Sequence, residues 1–123
     1  MSGLHRLFFV LVIGASVLVG ACGSSSSSPM TPSGPTTAVT IPQNASTMTV
    51  TAYSPNPVNV AVGTTIRWSN ADSIVHTATA DGGAFNSGNI NGGGAFNFTF
   101  PTAGTFNYHC TIHPNMVGTV VVQ

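Results

Sequence analysis

The sequence predicts an all-β domain, and three observations support this class. Val, Ile, Phe and Thr, the residues that favour strands, are plentiful along the chain. The 14 Gly and 8 Pro interrupt the chain every few positions, which leaves little room for helices. Short apolar–polar alternations recur between turn signals at roughly 8 to 12 residue intervals, a spacing typical of a β-sandwich or small barrel. We therefore expect seven or eight short strands packed in that way.

The predicted strands follow one another from residue 47 onward. They cover residues 47–53, 58–62, 65–69, 75–80, 96–100, 105–110 and 118–122. Each alternates or is rich in β-branched and aromatic residues, and the breaks between them hold Gly, Asn and Asp, which tolerate turn conformations. Ile66 and Trp68 are expected to face inward. Phe96, Phe98 and Phe100 are expected to place three rings on one face of their strand, because side chains alternate along a strand.

The small number of charged residues excludes one class of function. Arg6, Arg67, Asp72 and Asp81 are the whole charged set, and the formal net charge is zero. A nucleic-acid binder needs a basic stripe to neutralise phosphates, and this chain cannot build one. Disorder is also not expected, because it normally goes with low hydrophobicity and high net charge.

The first 22 residues are predicted to be a lipoprotein signal peptide. Arg6 precedes an apolar run over residues 7–19, which is shorter than the roughly 20 residues of a membrane-spanning helix. The run ends in Leu18-Val19-Gly20-Ala21-Cys22, which resembles a bacterial lipobox, where cleavage leaves a lipidated cysteine. A plain signal peptide with an incidental cysteine is the alternative. Both interpretations export the protein, and the first anchors it to a prokaryotic membrane in the periplasmic or extracytoplasmic space.

The remaining chain divides into a linker and a domain. Residues 23–36 are Ser, Pro, Thr and Gly with almost nothing to bury, which is typical of a tether stiffened in part by proline. Residues 37–123 hold all the predicted strands and form the folded domain.

One stretch near the C-terminus, residues 108–116, carries a set of metal donors. It offers a thiolate, an imidazole and a thioether at three-residue intervals, in Cys110, His113 and Met116. Thiolate and thioether favour copper, whereas imidazole suits copper, zinc, iron and nickel alike. Met116 alone would more often be a core residue. A trigonal site of two His and one Cys with a weak axial Met is a blue-copper electron-transfer centre. Such a site needs one more imidazole.

His76 is the candidate for that imidazole. His5 lies in the signal segment, and His109 is expected to point outward because Phe106, Tyr108 and Cys110 share the inward face of their strand. A disulfide between the two cysteines is the other use of Cys110 in an oxidising compartment. It is disfavoured because Cys22 belongs to the lipobox, outside the domain.

The sequence resembles a known family over essentially the whole domain. Residues 108–116, followed by Gly118-Thr119-Val120-Val121-Val122, resemble the ligand loop and last strand of the small blue copper proteins, the cupredoxins. The spacing of two residues between Cys and His, and two between His and Met, is most similar to amicyanin; plastocyanin and pseudoazurin have a longer spacing between His and Met. Residues 53–58 and 62–70 resemble the family's early strands, and residues 75–77 resemble the segment with its first His ligand.

The resemblance implies a Greek-key sandwich with one mononuclear type 1 copper site. His76, Cys110 and His113 would be the equatorial ligands and Met116 the axial one. Thr77 stands where several family members have an Asn that ties the two ligand loops together. The scarcity of charge is a second departure, since family members often steer partners with acidic or basic patches.

The function expected from this site is the transfer of single electrons between redox proteins such as cytochromes, oxidases, reductases or dehydrogenases. Protein donors fill every coordination position, which argues against an enzyme and against a small-molecule substrate. The resemblance implies that His113 passes the electron through an apolar surface. The loops bearing Asn56, Gly63, Gly82, Pro114 and Asn115 are expected to form that surface.

Three other functions are weighed against electron transfer. A module that buffers or delivers copper would use the same ligands, but the Met-rich or His-rich tails that favour it are missing. If the protein were a structural sandwich used for adhesion, its metal-donor residues would occur together only by coincidence. A binuclear copper site needs a second Cys near Cys110, and the sequence has none there.

Overall fold

A computed structural model describes residues 34–123. The predicted signal peptide with its lipobox Cys22, and residues 23–33 of the predicted linker, lie outside the described residues. The elements are β1 (Thr36–Ile41), a short 3-10 helix (Ala45–Thr47), β2 (Val58–Val60), β3 (Thr65–Asn70), β4 (Thr79–Ala80), β5 (Ala95–Thr99), β6 (Gly104–His109) and β7 (Val117–Val122). Within residues 34–123, no helix has the length and apolar character needed to cross a membrane.

The strands form two sheets, ordered β1-β3-β5 and β2-β7-β6-β4. The β1–β3 and β2–β7 pairs are parallel, whereas β3–β5, β6–β7 and β4–β6 are antiparallel. Most neighbours within a sheet are not consecutive in the chain, so connections cross between the sheets as in a Greek key. The prediction of an all-β sandwich with seven or eight strands is confirmed.

An aromatic cluster fills the space between the sheets. Trp68 and Ile66 are fully buried, as their positions in the alternation predicted. The Trp68 ring lies 5.1 Å from Phe85 and 5.6 Å from Tyr108, measured between ring centroids. Phe98 and Phe100 are 5.0 Å apart. Tyr108, near the end of β6, belongs to this cluster, which therefore supports the segment that carries Cys110.

The prediction of a strand over residues 47–53 is wrong. That segment begins in the 3-10 helix and continues through turns, and it buries Ala52 and Tyr53 without joining a sheet. A strand that was not predicted, β1, lies before this segment and pairs with β3 from Thr36↔Thr65 to Ile41↔Asn70. Alternation reports which side chains are buried but not which backbone is available for pairing, so the two segments could not be distinguished from pattern alone.

The predicted strand over residues 75–80 is shorter in the structure, where only Thr79 and Ala80 form β4. His76 makes an isolated bridge with Ile90. The next two amides are taken by side chains, since Thr77 N–H donates to Cys110 Sγ and Ala78 N–H donates to Ser87 Oγ. The backbone here does not pair with a neighbouring strand because side chains accept from both amides, and one of these side chains is the candidate ligand Cys110.

The sandwich has two ends, and they separate residues that the sequence placed on one surface. β6 runs toward Cys110. At the opposite end, Gly63 N–H donates to Phe100 O and Val62 N–H donates to Gln123 O. The expectation that the Gly63 loop shares a surface with Pro114 and Asn115 is therefore wrong. Gly82 follows β4, where Asp81 N–H bonds Asn107 O, again away from Cys110.

Candidate metal centre

Three of the four predicted donors meet at one end of the sandwich. Donor atoms of His76, Cys110 and His113 all lie within 4.8 Å of one another. Cys110 Sγ is 4.0 Å from His76 Nδ1 and 3.8 Å from His113 Nδ1. His76 and Cys110 are fully buried, whereas His113 is half-buried. The site is thus enclosed on two sides and reaches the surface at His113.

The turn between β6 and β7 carries Cys110, His113 and Met116. Cys110 follows β6 directly, and Met116 immediately precedes β7. Two backbone bonds close the turn, from Cys110 N–H to Met116 O at 3.1 Å and from Met116 N–H to His113 O at 2.9 Å. The Met116 side chain is fully buried. A loop can direct neighbouring residues toward one point, which strand alternation does not allow.

His76 is oriented by a buried carboxylate. Its Nε2 lies 3.0 Å from Asp72 Oδ2, and Asp72 is 4% exposed. The hydrogen bond from His76, with backbone N–H groups of Ser73 and Ala45, holds the pKa of Asp72 below its usual range. An ionised carboxylate only accepts, so Nε2 is the donor in this bond, and Nδ1 is the ring nitrogen nearer to Cys110 Sγ. Asp72 was not among the predicted site residues, although the sequence carries a signal for it: a carboxylate four residues before a candidate ligand, in a chain with two acidic residues.

Thr77 connects the two segments that carry donors. Its N–H donates to Cys110 Sγ at 3.3 Å, and its Oγ1 accepts from Thr111 N–H at 2.9 Å. Its carbonyl accepts from the Tyr53 hydroxyl at 2.5 Å. The residue that stands where related proteins have Asn therefore still joins the His76 and Cys110 segments, through a hydroxyl in place of an amide.

His109 lies outside the donor cluster. Its Nδ1 is 2.6 Å from Asp81 Oδ1, and the two side chains are 34% and 56% exposed. The outward direction expected from alternation along β6 is the one observed.

The donor set fits a single metal ion. Two atoms each bound at about 2.0–2.3 Å to one ion can lie at most about 4–4.6 Å apart, and both distances from Cys110 Sγ fall within this limit. Core packing alone does not explain why a buried free thiol should have two imidazole nitrogens as neighbours. With Met116 next in the same turn, the set has the composition of a type 1 copper centre.

A small Greek-key sandwich with this centre at one end defines the class of blue copper proteins. The chain matches the Cupredoxin-like domain family over residues 15–122 and belongs to that family. The resemblance noted from the sequence is confirmed, and the site is a mononuclear type 1 copper site.

Individual relatives agree with this assignment. The chain is 36% identical over 76 residues to amicyanin of Paracoccus denitrificans, a match that covers 58% of each protein. It thus spans less than two thirds of that relative's length. Among solved structures it is similar to a purple cupredoxin from Nitrosopumilus maritimus, with a TM-score of 0.64 and 34% identity over 70% of this chain and 98% of that one. It is also similar to the Cu(I) form of a methionine-to-alanine mutant of amicyanin, with a TM-score of 0.60 and 31% identity over 70% and 80% of the two chains.

Exposed apolar side chains lie next to the ligand segments in the chain. Ile112 directly precedes His113, Val117 directly follows Met116, and Ile74 lies two residues before His76; they are 44%, 38% and 40% exposed. Val50, 59% exposed, is tied to Val117 because Asn56 Nδ2 donates to both carbonyls. We call Val50, Ile74, Ile112 and Val117 the apolar rim. No member of the rim is charged.

Proposed function

We propose that the protein carries single electrons between exported or membrane redox partners. In this proposal His76, Cys110 and His113 are the equatorial copper ligands and Met116 is the axial ligand. The observation that supports it best is the convergence of a buried thiol and two imidazoles in one enclosed site. Copper bound there would supply a reversible one-electron couple.

The residues around the donors suit electron transfer because they hold the ligands in one arrangement. Asp72 fixes the His76 ring, and Thr77 binds both Cys110 Sγ and the Thr111 amide. Hydrogen-bonded and fully buried side chains have little freedom to move. A site that keeps its geometry when the charge of the metal changes has a small reorganisation cost, which favours rapid electron exchange.

Partners would dock on the apolar rim and exchange electrons through His113. His113 is the one donor of the cluster that is not fully buried, and the rim surrounds it in the chain. The charged residues among 34–123 are Arg67, Asp72 and Asp81, none of them in the rim. Association without charged patches depends little on ionic strength. We therefore expect redox proteins, such as a cytochrome, oxidase, reductase or dehydrogenase, with a complementary uncharged surface.

The proposed carrier is not an enzyme. The four proposed ligands all come from the protein, so no open position is left for a substrate at the metal. The same enclosure argues against copper buffering or delivery, the alternative function, because delivery requires ligands that release the metal readily. His76 and Cys110 are fully buried and hydrogen-bonded.

The proposed location rests on the N-terminal sequence. Residues 1–22 would direct export, Cys22 would carry the lipid anchor, and residues 23–36 would act as a tether. The carrier would then reach partners at some distance from the membrane on its periplasmic or extracytoplasmic side.

The first experiment compares the visible spectrum of the exported protein with Cu(II) for the wild type, Cys110→Ser and His109→Gln. We expect an intense blue thiolate band in the wild type and in His109→Gln, and none in Cys110→Ser. His109 is the matched control because it neighbours Cys110 but lies outside the donor cluster. A colourless wild-type complex would overturn the proposed site.

A second measurement separates electron transfer from copper delivery. Electron self-exchange between Cu(I) and Cu(II) protein is followed by NMR at low and high salt, beside transfer of copper to a chelator. Rapid, salt-insensitive self-exchange with slow copper release supports the carrier. Rapid copper release with slow self-exchange would instead support delivery.

A further inference from the structure

Asn56 makes three side-chain hydrogen bonds to backbone atoms, one to nearby Val50 and two to the start of the distant strand β7. Its Nδ2 donates to Val50 O at 2.7 Å and to Val117 O at 3.1 Å, and its Oδ1 accepts from Thr119 N–H at 2.9 Å. Asn56 precedes β2, which pairs in parallel with β7 from Val58↔Val120. The amide therefore continues the β2–β7 ladder past Pro57, which has no N–H to donate.

The strand that Asn56 holds begins at the residue after Met116. Val117 N–H donates to Thr49 O at 3.3 Å, and Val117 O accepts from Asn56. On its other side, Met116 is bonded to Cys110 and His113 through its own carbonyl and amide. The backbone of Met116 is thus held between the ligand turn and the segment that contains Val50 and Asn56.

A thioether is the weakest donor of a type 1 centre, and its bond to copper is long. A weak bond cannot pull the protein into place, so the scaffold decides how far the sulfur stands from the metal. The axial ligand tunes the reduction potential. Any group that fixes the backbone of Met116 should therefore affect the colour and the potential of the site without touching the metal.

We propose that Asn56 is a positioning residue that sets the axial interaction of Met116 with copper. The inference rests on the proposed copper site. On the side of β7 that faces away from β6, three hydrogen bonds tie its first residues to residues 49–56, and two of these are made by Asn56. If Asn56 is removed, the pairing with β6 remains but that side is freed, and Met116 can move away from the metal. Weaker axial donation favours Cu(I), so the reduction potential rises.

The test is a double-mutant cycle on the copper-loaded exported protein. Asn56→Ala is prepared in the wild type and in Met116→Leu, which has no thioether, and Asn59→Ala on the exposed face of β2 is the matched control. For Asn56→Ala we expect a changed ratio of the two thiolate absorption bands, a changed EPR hyperfine splitting, and about a tenfold shift in favour of Cu(I). Tenfold corresponds to about 59 mV for a one-electron couple. Asn59→Ala should change none of these.

The Met116→Leu background distinguishes positioning from general stabilisation. There, Asn56→Ala should still lower the melting temperature but should no longer move the spectrum or the potential. Asn56→Asp keeps the acceptor for Thr119 and loses both donations, so it should shift the site as Asn56→Ala does. A blue wild type whose spectrum and potential are unchanged by Asn56→Ala overturns the positioning role alone, as does an equal shift in the Met116→Leu background. A wild type without a thiolate band overturns the copper site as well.

Discussion

Replacing Gly118 by Ala should destabilise the protein by forcing Tyr108 out of place. Gly118 pairs with Tyr108 across β6 and β7, and the tyrosine ring covers it. A Cβ at position 118 would lie 2.3 Å from Tyr108 Cζ and 2.5 Å from its hydroxyl oxygen. Carbon atoms in contact are normally about 3.5–4.0 Å apart, so the ring would have to move by more than about 1 Å.

Tyr108 has little space for that movement. It is 1% exposed, and its ring packs against Tyr53 at 4.7 Å and Trp68 at 5.6 Å. Overpacking of this kind typically costs about 1–3 kcal/mol, and we expect the upper end, about 3 kcal/mol, because backbone and rings oppose every displacement. Tyr108 lies two residues before Cys110, so the same displacement should also disturb the metal site.

The assay is denaturant unfolding followed by the fluorescence of Trp68, the single tryptophan. Gly82→Ala is the control, since a Cβ there meets nothing within 4 Å, and its free energy of unfolding should stay within about 0.5 kcal/mol of the wild type. Combining Gly118→Ala with Tyr108→Leu should recover at least about 1 kcal/mol relative to the sum of the single changes. A Gly118→Ala protein as stable as Gly82→Ala would refute the packing argument.

Three further predictions concern the surroundings of the site. Asp72→Asn should raise the reduction potential measured by protein-film voltammetry, because a neutral amide supports electron donation from the His76 ring less than a carboxylate does. Asp81 is the surface carboxylate bonded to His109, and Asp81→Asn should cause no such rise. Thr77→Ala should lower the free energy of unfolding by about 1–3 kcal/mol, because the Thr111 amide loses its acceptor. Thr77→Ser, which keeps the hydroxyl, should lower it clearly less, and equal losses would contradict the role of the Thr77 hydroxyl as that acceptor. Burial, and to a lesser extent the neighbouring Cys110 and Tyr108, raise the pKa of Tyr53, so the native state keeps a proton that the unfolded state releases above about pH 10. The free energy of unfolding should therefore fall as the pH rises past that value. Unfolding curves measured at pH 8 and pH 11 should differ less for Tyr53→Phe than for the wild type.

Local pattern in the sequence was sufficient for the class of fold and for the ligand turn. Alternation along residues 105–110 places Tyr108 and Cys110 inward and His109 outward because side chains of a strand change faces at every residue. Cys110, His113 and Met116 are neighbours in the chain, so one turn between β6 and β7 carries all three. These features depend on short-range geometry, which a sequence records directly.

The tertiary structure decided what depends on the pairing of distant segments. β1, a strand that was not predicted, pairs with β3, whereas residues 47–53 join no sheet, and Gly63 lies at the end of the sandwich opposite Cys110. Thr77 reaches Thr111 across 34 positions, and Asn56 reaches Thr119 across 63. Periodicity indicates which face of a strand is buried, but it does not indicate which strand lies alongside. Hydrogen-bond partners depend on which strands are neighbours, so they cannot be read from periodicity. The donors of the site are therefore readable from the chain, whereas the contacts that hold them in place exist only in the folded protein.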